Sequence, residues 1–172
     1  MAIDHALESN LEPARSALLG LKTSRSAGPA TGGYAVDELW CKLVLRPWSC
    51  LVVVSAEQTP NTLRLARSLA EYGSQHRRHP LELIDGLQLD LDGAAAIQRI
   101  LKPKDPSSRL ADPQVVIALD SPIVNPIAIG VLAESDTVLM LLEKGVTRIP
   151  QARKIIEIVG RERLIGAVLA VG

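Results

Sequence analysis

Four clusters of polar side chains follow directly on apolar runs of strand length, and they hold most of the residues that could do chemistry. Leu51-Val52-Val53-Val54 is followed by Ser55-Ala56-Glu57-Gln58-Thr59-Pro60-Asn61-Thr62, and Leu81–Ile84 by Asp85-Gly86. Val115–Leu119 leads into Asp120-Ser121-Pro122, and Thr137–Leu142 into Glu143-Lys144-Gly145-Val146-Thr147-Arg148. The loop ending at Thr62 enters a helix, whose N-terminal end carries partial positive charge and attracts anions. Nucleophilic catalysis has little support: neither Ser55 nor Ser121 stands in a Gly-x-Ser-x-Gly elbow, and no histidine segment converges on them.

Other candidates reduce to ordinary structure. His76-Arg77-Arg78-His79 carries two imidazoles three residues apart, but it precedes Pro80 and reads as the basic end of a helix rather than a metal site. Asp90-Leu91-Asp92-Gly93 begins like a calcium loop and lacks the later ligands; an exposed turn with Asp92 as a helix N-cap is expected. Lys144, Arg148, Arg153 and Lys154 form a basic stretch read as a solvated helix face. Two cysteines, Cys41 and Cys50, are too few for a disulfide framework or a four-ligand zinc site and read as small buried apolar side chains. The reading assigns no catalytic residue, no metal site and no cofactor.

The elements that must position these clusters follow from periodicity. The four apolar runs, with Leu164–Leu169 as a fifth, are near-continuous, as in strands covered on both faces of a parallel sheet. Between them lie helical patterns. Asn61–Tyr72 places Leu65, Leu69 and Tyr72 on one face. Thr147–Gly160 repeats Ile149, Ala152, Ile156 and Val159, with Thr147 as expected N-cap and Gly160 as terminator. Alternating strands and helices imply right-handed crossovers and a three-layer α/β/α sandwich with a mostly parallel sheet. Residues 1–33 read as a flexible tail and linker, since Ser24–Gly33 is too rich in small and polar residues to order itself, and 34–172 as a single folded domain. No internal repeat is evident.

Composition narrows the function classes. The 172 residues carry 19 Lys+Arg against 19 Asp+Glu, so no net field favours nucleic acid or an anionic membrane. With no Phe, two Trp and two Tyr, stacking platforms for single strands are hard to build and the core must be aliphatic. No run approaches the roughly 18–20 apolar residues of a membrane span, and Asp4, Glu8 and Glu12 break any signal-peptide pattern. A cytoplasmic protein is expected, with membrane association only through a partner.

The order of elements resembles the cytoplasmic P-loop ATPase domain of bacterial tyrosine kinases, partners of polysaccharide co-polymerases within the MinD/ParA group. The resemblance covers about residues 36–172 and is carried by Asp120-Ser121-Pro122, by Leu132-Ala133-Glu134-Ser135-Asp136-Thr137-Val138, and by Lys144–Arg148 and Leu164–Leu169 in that order. It implies a P-loop NTPase-like fold of MinD/ParA type, with a phosphate loop after the first strand. On that alignment the family's two loop glycines fall on Thr59 and Asn61, its phosphate-binding lysine on Thr62 and its magnesium-binding hydroxyl on Leu63. A phosphate loop needs glycines to turn successive N–H groups inward, a lysine for the phosphates and a hydroxyl for magnesium.

Further family positions depart. The second-strand Asp-x-Asp is Asp85-Gly86-Leu87, and the adenine-reading asparagine falls near Ala170. The oligomerisation motif, a glutamate followed by arginines, would run from Glu38 and meets Cys41 and Val44. No C-terminal tyrosine cluster precedes Val171-Gly172. The resemblance implies magnesium at Asp85 and Asp120, but with the phosphate positions changed they are expected as caps or acceptors at strand ends, and Trp40 and Trp48, flanking the first helix, as core residues or, alternatively, interface anchors.

The resemblance implies a non-catalytic ATPase-like or kinase-like domain in exopolysaccharide or capsule export. It would act through contacts with a membrane polysaccharide co-polymerase or another export-apparatus protein, as a homo- or hetero-oligomer and without nucleic acid. Two alternatives stay open: an active ATPase or tyrosine kinase with a divergent phosphate loop, and a MinD/ParA-like positioning or secretion factor without nucleotide control.

Overall fold

The computed structural model describes residues 36–77, 79–102 and 114–171. The tail and linker expected over 1–33, and Arg78 of the His76–His79 run, lie outside these residues. The described chain forms α1 (Val36–Leu43), β1 (Cys50–Ser55), α2 (Asn61–Gln75), β2 (Glu82–Gly86), α3 (Leu91–Leu101), β3 (Val115–Leu119), α4 (Ala128–Glu134), β4 (Thr137–Glu143), α5 (Ile149–Val159) and β5 (Leu164–Ala170). All strand pairs are parallel, in the order β2-β3-β1-β4-β5.

Side chains of β1 alternate between two aliphatic cores. Cys50, Val52 and Val54 join Ala94 and Ile97 of α3, Val131 and Leu132 of α4, and Ile155 and Val159 of α5. Leu51 and Val53 face the other way, onto Leu39 and Leu43 of α1 and Leu65, Ala66 and Leu69 of α2. The result is the three-layer α/β/α sandwich, with two helices on one face and three on the other. Every residue of β1 is buried, because β3 and β4 flank it and helices cover both faces. Truncating Leu51 to Ala would cost about 2–5 kcal/mol at such a site.

Burial on both faces holds for β1, β3 and most of β4, but not for the edges. In β2 only Gly86 is buried, and in β5 only Ala167. β2 also begins and ends later than the apolar run suggests. Its register with β3, Asp85 beside Ala118 and Gly86 beside Leu119, draws both residues into the strand instead of the loop after it. A Cβ on Gly86 would approach the Ala118 carbonyl to 2.9 Å, so glycine permits this pairing.

Three local expectations are corrected. Asp90, not Asp92, caps α3: its extended backbone lets Oδ1 accept from the Gly93 N–H at 2.7 Å. α5 starts at Ile149 with Pro150 in its first turn and Arg148 before it, while the Thr147 hydroxyl is engaged elsewhere. Gly160 does end α5, with φ of 82°. Cys50 is buried as expected, but Cys41 is exposed, because α1 turns Leu39, Trp40 and Leu43 inward and leaves position 41 on its outer side.

Candidate functional site

In an open parallel sheet, ligands bind beyond the C-terminal strand ends, where neighbouring connections leave to opposite faces. Here that place lies beside β1: α2 departs to one face, and α4 and α5, after β3 and β4, to the other. The loops after β1, β3 and β4 are joined there by side chains.

The loop after β1 is tied to the end of β4. Thr59 Oγ1 donates to Glu143 Oε1 at 2.6 Å, and Asn61 Nδ2 donates to the same oxygen at 2.7 Å. The Asn61 N–H reaches Thr59 Oγ1 at 3.3 Å, and Arg64 donates to Asn61 Oδ1 at 3.0 Å. A second tie runs beside the first. The Glu143 N–H donates to Thr147 Oγ1 at 2.9 Å, whose hydroxyl donates to Glu57 Oε2 at 2.8 Å. Glu57 Oε1 is buried with no partner among the described residues. The loop therefore faces two carboxylates. Pro60, just before α2, contributes no N–H, Thr62 is buried, and Leu63 packs partly against the core on the α2 face.

Asp85 and Asp120 serve different turns. Exposed Asp85 accepts from the Leu87 N–H at 3.0 Å, closing its own turn. Asp120, 3% exposed, accepts from the Gln88 N–H at 2.5 Å. Gln88 has φ of 57°, the left-handed region that a non-glycine residue enters at a cost, and this charged acceptor helps to hold it. Asp120 Oδ1 is buried without a partner among the described residues. Both serine hydroxyls are spent on carbonyls: Ser55 donates to Glu57 O, and Ser121 to Ala56 O at 2.7 Å, binding the loop after β3 to that after β1. Among the described residues no three His, Cys, Asp or Glu side chains are grouped to hold a metal ion.

Trp40 and Trp48 lie away from this edge, each 5% exposed, with ring centroids 6.2 Å apart edge to face. Trp48 Nε1 donates to Leu43 O at 3.1 Å, fixing the α1–β1 connection. The Arg77 guanidinium sits 5.2 Å and 5.3 Å from the two ring centroids, and burial lowers its pKa. His76 caps the end of α2, its ring stacked on Tyr72 and its Nδ1 2.8 Å from Tyr72 O. Lys144, Arg148, Arg153 and Lys154 are exposed, and Lys154 pairs with Glu157 at 3.2 Å. Glu38 pairs with Lys42 at 3.1 Å, while Cys41 and Val44 face solvent.

Sequence reasoning gave no role to Glu57 or Glu143 and read Thr147 as a helix cap. The available signal was the pair of acidic residues directly after β1 and at the end of β4, the two neighbouring strands whose loops must meet.

No protein-family profile matches the chain, and no curated protein matches it. Among solved structures it is similar to one described as the BceF tyrosine kinase domain, with a TM-score of 0.54 and 14% sequence identity. The match covers 99% of this chain and 89% of that one. At this identity the likeness concerns architecture alone: the chain shares the parallel α/β/α fold of that tyrosine kinase domain.

Proposed function

We propose that this chain is a non-catalytic relative of bacterial tyrosine kinase domains, acting through protein contacts in exopolysaccharide or capsule export. The supporting observation is the loop after β1. Its Thr59 and Asn61 side chains are spent on the Glu143 carboxylate, and Glu57 stands beside them. The fold family implies MgATP at this place, and the residues present do not fit it. A nucleotide's phosphates would meet two carboxylates and no lysine at Thr62, and magnesium would meet Leu63 instead of a hydroxyl.

A scaffold that keeps the kinase fold but not its charge pattern retains surfaces for partners of that fold. The partner class is a membrane polysaccharide co-polymerase or another export-apparatus protein. Among the described residues no helix is long and apolar enough to cross a membrane, so recruitment to the inner membrane would run through that partner.

Isothermal calorimetry with MgATP and MgADP tests the reading. No saturable heat is expected up to millimolar nucleotide, and micromolar binding would overturn it. A Thr62→Lys, Leu63→Thr variant is expected to stay silent as well, since Glu57 and Glu143 remain.

A further inference from the structure

We propose that residues 13–22 of this chain pack as an amphipathic helix over β5, on the sheet face that α1 and α2 cover in part. The inference concerns a surface apart from the loop after β1 and does not rest on the proposed function.

That face lacks cover at its β5 end. Three helices, α3, α4 and α5, close one side of the five-stranded sheet, and among the described residues α1 and α2 alone close the other. α2 lies over β1, β2 and β3, and α1, eight residues long, packs along α2. Pairing with β4 sets Gly166 beside Leu139 and Val168 beside Leu141, which places both on the α1–α2 side. Leu139 and Leu141 are buried there, yet Ile165, Val168 and Ala170 of β5 are only half-buried. A Cβ on Gly166 would meet no atom within 4 Å. An aliphatic sheet face with open space above it is a face short of one helix.

The chain's own course supplies the occupant. It enters the described fold at Val36, which is half-buried against the same core as Ile165, Val168 and Ala170. The residues before it therefore arrive on this face. Among them, Ala14, Ala17, Leu18 and Leu21 stand at i, i+3, i+4 and i+7, one stripe of a helix that Leu11 continues upstream. Pro13 suits a first helical turn, and Arg15, Ser16 and Lys22 fall outside the stripe. A helix over 13–22 would run about 15 Å, against about 23 Å for the seven residues of β5. Residues 23–35 reach about 40 Å when extended, and a five-stranded sheet is only about 19 Å across, so the tether is long enough. Such a tether holds the segment at an effective concentration on the order of millimolar, which favours it over a second copy of the chain.

The test labels a thiol placed in the open space. In the full chain with Cys41→Ser, which leaves only the buried Cys50, Gly166→Cys is studied with and without Leu18→Asp and Leu21→Asp. Without them, a maleimide is expected to react at least about 10-fold more slowly, because the leucine stripe covers the site. Equal rates would overturn the proposal. Protection that grows with protein concentration would also overturn it, since it marks a second copy on the face. A thermal cycle keeps the proposal testable if a side chain at 166 displaces the segment. Leu18→Asp is expected to lower Tm by about 3–6 °C in the unmodified chain. Once Val168→Asp is present it is expected to lower Tm by less than about 2 °C, because both changes break one contact. Equal shifts in the two backgrounds would overturn the proposal.

Discussion

The two ends of the sheet are both cross-braced by a carboxylate, and they are braced differently. At the N-terminal end, Asp136 Oδ2 accepts from the Ser49 N–H at 3.0 Å, Ser49 Oγ at 2.7 Å and the Cys50 N–H at 3.1 Å. The α4–β4 turn is thereby fastened to the start of β1, largely by backbone donors. Nearby, Gln114 donates to Trp48 O, and Arg163 donates to Leu132 O at 2.8 Å. At the C-terminal end, Glu143 is held by side-chain donors alone. The three buried side-chain polar atoms without partners among the described residues also lie there: Glu57 Oε1, Asp120 Oδ1, and Gln151 Oε1 in the first turn of α5. Each unmet buried acceptor costs stability. One end satisfies its polar groups and fixes architecture; the other leaves polar capacity unused, in the place where this fold class works on ligands.

Substitutions can break this contrast, and the N-terminal end should suffer most. Asp136→Ala removes the shared acceptor of three donors and is expected to destabilise the fold by about 1.5–3 kcal/mol, the range of a hydrogen bond to a charged group, since Asp136 itself is exposed. Urea or thermal unfolding would read this directly. Next comes Gly73→Ala on α2, where a methyl would overlap the Trp40 ring and crowd Leu81 Cδ1. Overpacking of this kind costs about 1–3 kcal/mol, seen as a lowered denaturation midpoint without loss of secondary structure.

A pH series sharpens the same end. Burial, aided by the nearby Asp136 charge and opposed by a backbone hydrogen bond, pushes the Cys50 thiol from 9.0 up to about 12. The folded state therefore holds this proton more tightly than the unfolded one. Its contribution to stability is whole below pH 9 and drains as pH rises from there toward 12. Between pH 9 and 11, Cys50→Ala is expected to lose stability less steeply than the unmodified chain; parallel slopes would contradict the assignment. Thiol labelling of the native protein at pH 8 should modify Cys41 alone.

The smallest effect belongs to the C-terminal end. Asp120→Asn exchanges a charged acceptor for a neutral one but also removes a charge with one buried oxygen unmet, and the two terms offset. A change within about 1 kcal/mol is expected, against a larger loss for Asp136→Asn.

The architecture was legible because it rests on local rules. Runs such as Val115–Leu119 are apolar throughout only if both faces are covered, and Leu65, Ala66, Leu69 and Ala70 mark one face of a helix. The segment Ser135-Asp136-Thr137 stood out by resemblance, and its physical reason is the three donors that Asp136 accepts. Legibility failed where a side chain's partner lies far off in sequence. Thr147 looked like a cap because hydroxyls cap helices, yet its partners are the Glu143 N–H and a carboxylate 90 residues away, at Glu57. Asp90 and Asp92 are both plausible caps, and the choice turns on which one has extended backbone. The exposure of Cys41 follows from the rotation of α1 about Trp40, which spacing alone does not set. The role of Glu143 needed the strand order, because only adjacency of β4 and β1 brings it to Thr59 and Asn61.

On the proposed reading, the loop after β1 is occupied by the protein's own side chains and takes no nucleotide. An amide-resolved NMR titration of the unmodified chain with MgATP tests it most directly. The amides of Glu57, Thr59, Asn61 and Leu63 are expected to stay unmoved up to millimolar nucleotide. Saturable shifts confined to those amides, with the Glu143 amide moving alongside them, would contradict it.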